Sequence, residues 1–245
     1  MSHEAVLLEI CVEDVGGIDA ARLGGADRIE LCSALAIGGL TPSAALVDHA
    51  VASGLPVHAM VRPRQGDFVY DAATLDLMVA EIGHLRAMGV AGVVVGATHA
   101  DGAPDRDALA RLRDAAHGLR IVLHRAIDLA PDPIAAVTVA VRLGYDAVLS
   151  SGGAASAPAG AATLAAMVAE ARGRIEMIAG AGVRPDTVAA LIRDTGVGTV
   201  HASAAATRDW GDARIAAFGF AAGPSRSTDA AAVRALAGAI ASRHG

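Results

Sequence analysis

Eight times along the 245 residues, a short run of strand-like character is followed by a helical pattern. The runs span 6–11, 27–32, 57–62, 92–98, 120–125, 146–150, 175–180 and 198–202. Asp71 precedes Leu75, Met78, Ile82 and Leu85, the i, i+3, i+4 spacing of one helix face. Asp105 precedes Leu109 and Leu112, Pro133 precedes Val137 and Val141, and Pro185 leads into Val188, Leu191 and Ile192. The last helix is expected to start near Ser227 or Thr228. Glycines such as Gly24-Gly25, Gly89 and Gly144 punctuate the helix-to-strand joints, where a left-handed C-cap suits them. With no long linker and no shift in composition, this predicts one α/β domain over 1–245, a single (β/α)8 TIM barrel. The alternative is a doubly wound open sheet, but no G-x-G-x-x-G follows a strand, so no nucleotide cofactor is expected. Two connections are long, 62–71 and 204–227, and the second carries Trp210, Phe218 and Phe220. Long connections of this kind are usually functional or lie at interfaces.

The composition excludes several chemistries. All 20 basic residues are arginine, so Schiff-base catalysis is ruled out. Net charge is −6 and aromatics are 2%, without a basic patch, so nucleic acid is not an expected partner. No apolar run approaches the ~18 residues of a membrane span. The opening MSHEAVLLEI lacks a basic n-region, and a cytoplasmic protein without a signal peptide is expected. The two cysteines, Cys11 and Cys32, are then not expected to form a structural disulfide. A buried apolar role, a metal or a reactive thiol remain open for them.

The parity of the strands points to a site. In 26–43, ADRIELCSALAIGGLTPS, Arg28, Glu30 and Cys32 alternate with Ile29 and Leu31. Gly38-Gly39 then breaks the chain, and Thr41 and Pro42 suit an N-cap and a first helical position. In the first strand Glu9 and Cys11 alternate with Leu8 and Ile10. The aliphatic faces should pack under the helices, because a carboxylate in that dry layer would lack a partner. Glu9, Cys11, Glu30 and Cys32 should therefore point into the barrel, joined by Met60 and Arg62, His124, and Thr199 and His201. That end of the barrel is where this fold places its active sites. A structural ion-pair network, with Arg62 balancing Glu9 and Glu30, is the other reading of the same charges.

Two further stretches carry chemistry. His124 could act as general acid or base, with Arg125 or Asp128 orienting a substrate; equally, Asp128 could cap the turn that follows it and pair with Arg125. The glycine-rich turn with Gly180 and Gly182, and the turn after the eighth strand with Ser203, could expose backbone N–H groups to a phosphate. Arg62, Arg64 and Arg184 could add positive charge there.

Several long motifs, in order, resemble one family. They are GADRIELCS (25–33), GGLTPS (38–43), RPRQGDFVY (62–70), HRAID (124–128), VLSSGG (148–153) and AGAGV (179–183). Together they resemble the CutC copper homeostasis family over nearly the whole chain. The resemblance implies a cytoplasmic (β/α)8 barrel that forms homodimers or larger assemblies, with a link to copper handling. It implies Cu(I) binding through Cys11 and Cys32. Gln65, Leu123, Ser150 and Ala202 depart from the family pattern, and none is an implied ligand. Cu(I) is soft and accepts two thiolates, with Met60 or a histidine available as a third ligand. The absence of C-x-x-C argues against a closed structural zinc site. An enzyme using Glu9, Glu30 or His124 on a small anionic or phosphorylated metabolite is the alternative.

Overall fold

Eight parallel strands close on themselves in sequence order, the eighth pairing with the first. The computed structural model describes residues 6–221 and 223–242. In chain order the elements begin β1 (Leu7–Val12), α1 (Val15–Gly24), β2 (Arg28–Leu31), α2 (Ala44–Ala52), β3 (Val57–Met60), α3 (Ala72–Ala87), β4 (Gly92–Val95) and α4 (Arg106–Ala115). They continue with β5 (Arg120–Leu123), α5 (Pro133–Leu143), β6 (Ala147–Ser150), α6 (Ala161–Ala171), β7 (Glu176–Gly180), α7 (Val188–Thr195) and β8 (Thr199–Ala202). After the barrel come β9 (Ala205–Arg208), α8 (Arg214–Ala217), β10 (Ser225–Thr228) and α9 (Ala230–Ala241). The (β/α)8 barrel expected from the eight repeats is the fold observed. Among the described residues, no helix is long and apolar enough to cross a membrane.

Two apolar layers hold it. Leu8, Ile10, Ile29 and Leu31 pack outward against helix residues including Ile18, Met78, Leu109 and Leu236. A second, smaller cluster fills the barrel interior, with Cys32, Met60, Val94, Val122, Leu149 and Ile178. Most helix starts obey the expected capping chemistry: Asp71 accepts from Thr74 N–H at 2.8 Å and Asp105 from Ala108 N–H at 3.0 Å.

Three starts differ from expectation. Thr41 does not cap α2, because its hydroxyl accepts from Arg62 N–H and donates to Glu81, both at 3.0 Å. Ser43 takes the capping role, two residues later. Pro185 opens a turn rather than a helix, and α7 begins at Val188. The last helix begins at Ala230, capped by Asp229, because 225–228 pairs instead with 205–208 as an antiparallel ribbon. The 204–227 connection is thus an excursion with its own two strands and a helical turn. It exposes Phe218 and Phe220, 68% and 79% accessible, stacked edge to face.

Candidate functional site at the barrel mouth

Register decides which inward side chains meet. Between β1 and β2, Glu9 lies opposite Arg28 and Cys11 opposite Glu30. Between β1 and β8, Glu9 lies opposite His201. Cys32 lies beyond Glu30, its N–H bonded to Val12 O at 2.9 Å, so the two thiols are diagonal neighbours one layer apart. Glu9, Glu30, Arg62, His124 and His201 are all buried, as the parity argument required.

The lower part of this interior is a closed charge network. Arg28 Nε donates to Glu9 Oε2 at 2.6 Å, and its Nη2 donates to Glu176 Oε1 at 3.1 Å. Arg120 and Thr199 also bond Glu176. These residues open their strands, at the end of the barrel where ion pairs serve stability. Arg28, not Arg62, therefore balances Glu9. Burial alone would raise the Glu9 carboxyl, but His201, His58 and Arg28 overcome it and hold it well below the usual range.

Above the network, Glu9 Oε1 accepts from His201 Nδ1 at 2.7 Å. The other ring nitrogen, Nε2, lies 3.8 Å from Glu30 Oε2. Burial opposes the His201 imidazolium, yet Cys11, Glu30 and Glu9 outweigh it and hold the ring well above its ordinary value. Burial pushes the Glu30 carboxyl up, with His201 opposing and Glu9 adding. The Cys32 thiol donates to Glu30 Oε2 at 3.5 Å, and burial, Glu30 and Cys11 push it well up. Glu30 Oε1 is buried and has no hydrogen-bond partner among the described residues.

A cavity of about 750 Å³ opens above this cluster on the C-terminal face. Cys11, Glu30 and His201 line its floor, while Arg62, Phe68 and His124 line its wall. Three non-glycine residues with left-handed backbone, Ala34 (φ 52°), Ala181 (φ 77°) and Ala204 (φ 45°), lie in the loops on this face. Phe68 sits between two functional candidates, its centroid 4.9 Å from the His124 ring and 5.0 Å from the Arg62 guanidinium carbon. Arg62 donates to Ile37 O at 2.9 Å, Gly39 O at 3.0 Å and Gly66 O at 2.9 Å. It clamps two loops and, among the described residues, faces no carboxylate in an ion pair.

His124 is a neutral donor. Burial, with Arg62 adding, lowers its pKa to about 3. Its Nδ1 accepts from Ala126 N–H at 3.1 Å, so the ring proton sits on Nε2, which is buried without a partner among the described residues. This tautomer can polarise or protonate a bound oxygen; it cannot take up a proton at Nε2. Asp128 accepts from Arg125 Nε at 2.8 Å, Ser150 Oγ at 2.6 Å and Ser151 Oγ at 2.8 Å. It fastens the loop after β5 to the loop after β6: the expected pairing with Arg125 is present, but the turn its carboxylate caps is the one at Ser151 and Gly153, not the turn that follows it.

Of the residues expected to bind an anion, Arg62, Gly182, Arg184 and Ser203 line the cavity, and Gly180 and Arg64 do not. A Cβ on Gly180 would stand 2.6 Å from Leu149 Cδ1, so its smallness serves barrel packing. Arg184 is paired with Asp186 at 3.1 Å and exposed. The parity reasoning put Arg28 on the face of Glu30 without giving it a role, and it missed His58 and Glu176. Each has the inward parity of a residue on its own strand that was noticed, Glu30, Met60 and Gly180, and that signal could have found them.

The CutC family model matches residues 6–206. A CutC family protein from Sinorhizobium medicae is 47% identical over 231 residues, 94% of each chain. A solved structure of a CutC from Streptococcus agalactiae, named for copper homeostasis, is 30% identical with a TM-score of 0.77, covering 81% of this chain and 98% of its own. Thiamine phosphate pyrophosphorylase from Pyrococcus furiosus is 15% identical with a TM-score of 0.58, covering 99% of this chain and 98% of its own, a likeness of fold alone.

Proposed function

The chain belongs to the CutC family, and from that premise we propose that it is a cytoplasmic copper homeostasis protein that takes Cu(I) at the barrel mouth through Cys11 and Cys32. The observation that carries this is the placement of two free cysteines as diagonal neighbours on adjacent strands inside one barrel. The donor set suits the ion: two sulfurs, with the Met60 thioether packed in the same interior cluster as Cys32. Cys11 faces the cavity and Cys32 lies behind it, so the ion would enter past Cys11. Buried free thiols also fit a reducing compartment. Competition against a chromophoric Cu(I) chelator under reducing conditions tests the reading. Cys11→Ser and Cys32→Ser should each weaken Cu(I) by at least tenfold. Equal affinity in the double variant would remove the proposal.

The cavity favours a second reading, because one copper ion does not need about 750 Å³. Pockets of that size bury small metabolites. Arg62 would attract an anionic group, the Nε2–H of His124 would donate to its oxygen, and Glu30, with its raised pKa, would serve as the acid–base group. Thermal-shift screening with phosphorylated and carboxylated metabolites tests it: a hit should lose its shift in His124→Asn. Retention of the shift there would place the ligand elsewhere.

The exposed Phe218 and Phe220 support self-association of the chain through the excursion after β8.

A further inference from the structure

The three donors on the cavity floor form an arrangement distinct from a pair of thiols. Cys11, Glu30 and His201 come from three strands, β1, β2 and β8, which are adjacent in the closed barrel. His201 carries a built-in orientation: Nδ1 donates to Glu9 Oε1 at 2.7 Å, and that carboxylate is itself fixed by Arg28 at 2.6 Å. Metal-ligating histidines commonly have such a carboxylate behind them, which fixes the tautomer and leaves the other nitrogen for the ion. Here that nitrogen is Nε2, 3.8 Å from Glu30 Oε2. Two such ligands around a tetrahedral ion at ~2.0–2.1 Å lie roughly 3.3 Å apart, so a shift of about half an ångström admits one. Glu9, Glu30 and His201 offer ligand atoms that all lie within 4.8 Å of one another; Cys11 is outside that set and stands opposite Glu30 in the β1–β2 register, so its thiol must swing inward to ligate.

A second observation points the same way. Glu30 is 4% exposed, yet Oε1 has no hydrogen-bond partner among the described residues. A buried carboxylate oxygen without a donor is costly, and a cation would satisfy it. Cys32 differs from Cys11 here, because it does not line the cavity.

We propose that the barrel mouth holds a divalent cation of borderline softness, Zn2+ in the first instance, ligated by Cys11, Glu30 and His201 with Glu9 orienting the imidazole. Three protein ligands facing a cavity leave a fourth position for water or a substrate oxygen, the pattern of catalytic and not of structural zinc. On binding, the ion takes the place of the proton on His201 Nε2 and of the thiol proton of Cys11, both of which leave to solvent. The proposal stands apart from Cu(I) capture, sharing only Cys11 with it.

The two readings separate in one set of titrations on chelator-stripped, reduced full-length protein. Zn2+ is titrated by calorimetry, and Cu(I) by chelator competition. Wild type should bind one Zn2+ per chain. Glu30→Gln and His201→Gln should each weaken Zn2+ by at least tenfold, while Cys32→Ser leaves it within threefold. Glu9→Gln should weaken Zn2+ by about 10- to 100-fold as a positioning residue. Cu(I) should show the reverse order, lost in Cys32→Ser and changed by less than tenfold in Glu30→Gln, where the Cys32 thiol keeps an oxygen to donate to. Co2+ substitution gives a readout free of affinity: a sulfur-to-cobalt charge-transfer band should vanish in Cys11→Ser and persist in Cys32→Ser. Circular dichroism identifies any variant that fails to fold, and the cobalt spectra of those that do fold carry the test. No Zn2+ binding by wild type, unchanged Zn2+ affinity in Glu30→Gln, or a cobalt band that survives Cys11→Ser would each overturn the proposal, and none of them bears on Cu(I).

Discussion

Glu9 and His201 stand 192 residues apart in the chain and share a 2.7 Å hydrogen bond at the centre of the barrel. The bond joins the ion-pair network below to the open cluster above. Arg28 holds Glu9 from one side, and His201 turns Nε2 toward Glu30 on the other. One carboxylate therefore contributes to stability and to the geometry of the site at once.

Glu9→Gln should destabilise the protein by about 3 kcal/mol, because it leaves the Arg28 guanidinium buried with one charged partner fewer. Adding Arg28→Met to it should recover part of that loss, since the unpaired charge goes too. Urea unfolding at constant m-value measures both. A Glu9→Gln variant within about 0.5 kcal/mol of wild type would contradict the network as described.

His124 should remain neutral across physiological pH, with a pKa lowered to about 3 by burial and Arg62. Its ring proton signals should not titrate between pH 8 and 5. The sign of the stability effect follows. The unfolded chain takes up this proton near pH 6.5 and the folded chain near pH 3, so stability present above ~6.5 is lost as pH falls toward 3. The single-group slope is at most about 1.4 kcal/mol per pH unit. His124→Asn should flatten that part of the stability profile. An unchanged profile would mean that the ring is protonated in the folded state.

Gly39→Ala should disturb the thiol site through its packing. Gly39 has φ 86°, and a Cβ there would stand 2.9 Å from Cys32 Sγ and 3.6 Å from Met60 Cε. The left-handed backbone alone should cost more than about 1 kcal/mol. Cu(I) affinity should fall with it, because Cys32 must move. Thermal melting and chelator competition on the same samples check both, and a stable variant of full affinity would show that Cys32 has room to spare.

Phe218→Ser with Phe220→Ser should lower the oligomeric state. Both rings are exposed, and removing them takes away the apolar part of the excursion. Light scattering coupled to size exclusion should show a dimer or larger assembly for wild type and a monomer for the double variant. A wild type that elutes as a monomer would end the idea.

The eight repeats and the period-2 alternation of Glu9, Cys11, Glu30 and Cys32 against Leu8, Ile10, Ile29 and Leu31 made the barrel and its inward face legible. Periodicity is a local property, and burial on the helix side admits only one parity. The excursion after β8 was not legible as structure, because SRST at 225–228 lacks the apolar alternation of a half-buried strand and acquires its pairing from 205–208. The role of Asp128 was left open, since its serine partners lie 22 and 23 residues further along the chain.

The sequence by itself determined the fold, the family motifs and which side chains enter the barrel. It did not determine the height at which each one stands. Parity assigns a residue to a face, but the stagger that closes eight strands assigns its neighbours across the interior. That closure placed Arg28 rather than Arg62 against Glu9 and set Cys32 one layer beyond Cys11. It also brought His201, from the last barrel strand, beside Glu9 on the first. The last pair is 192 residues apart in the chain, and even between the consecutive strands β1 and β2 the register is held only by the tertiary structure.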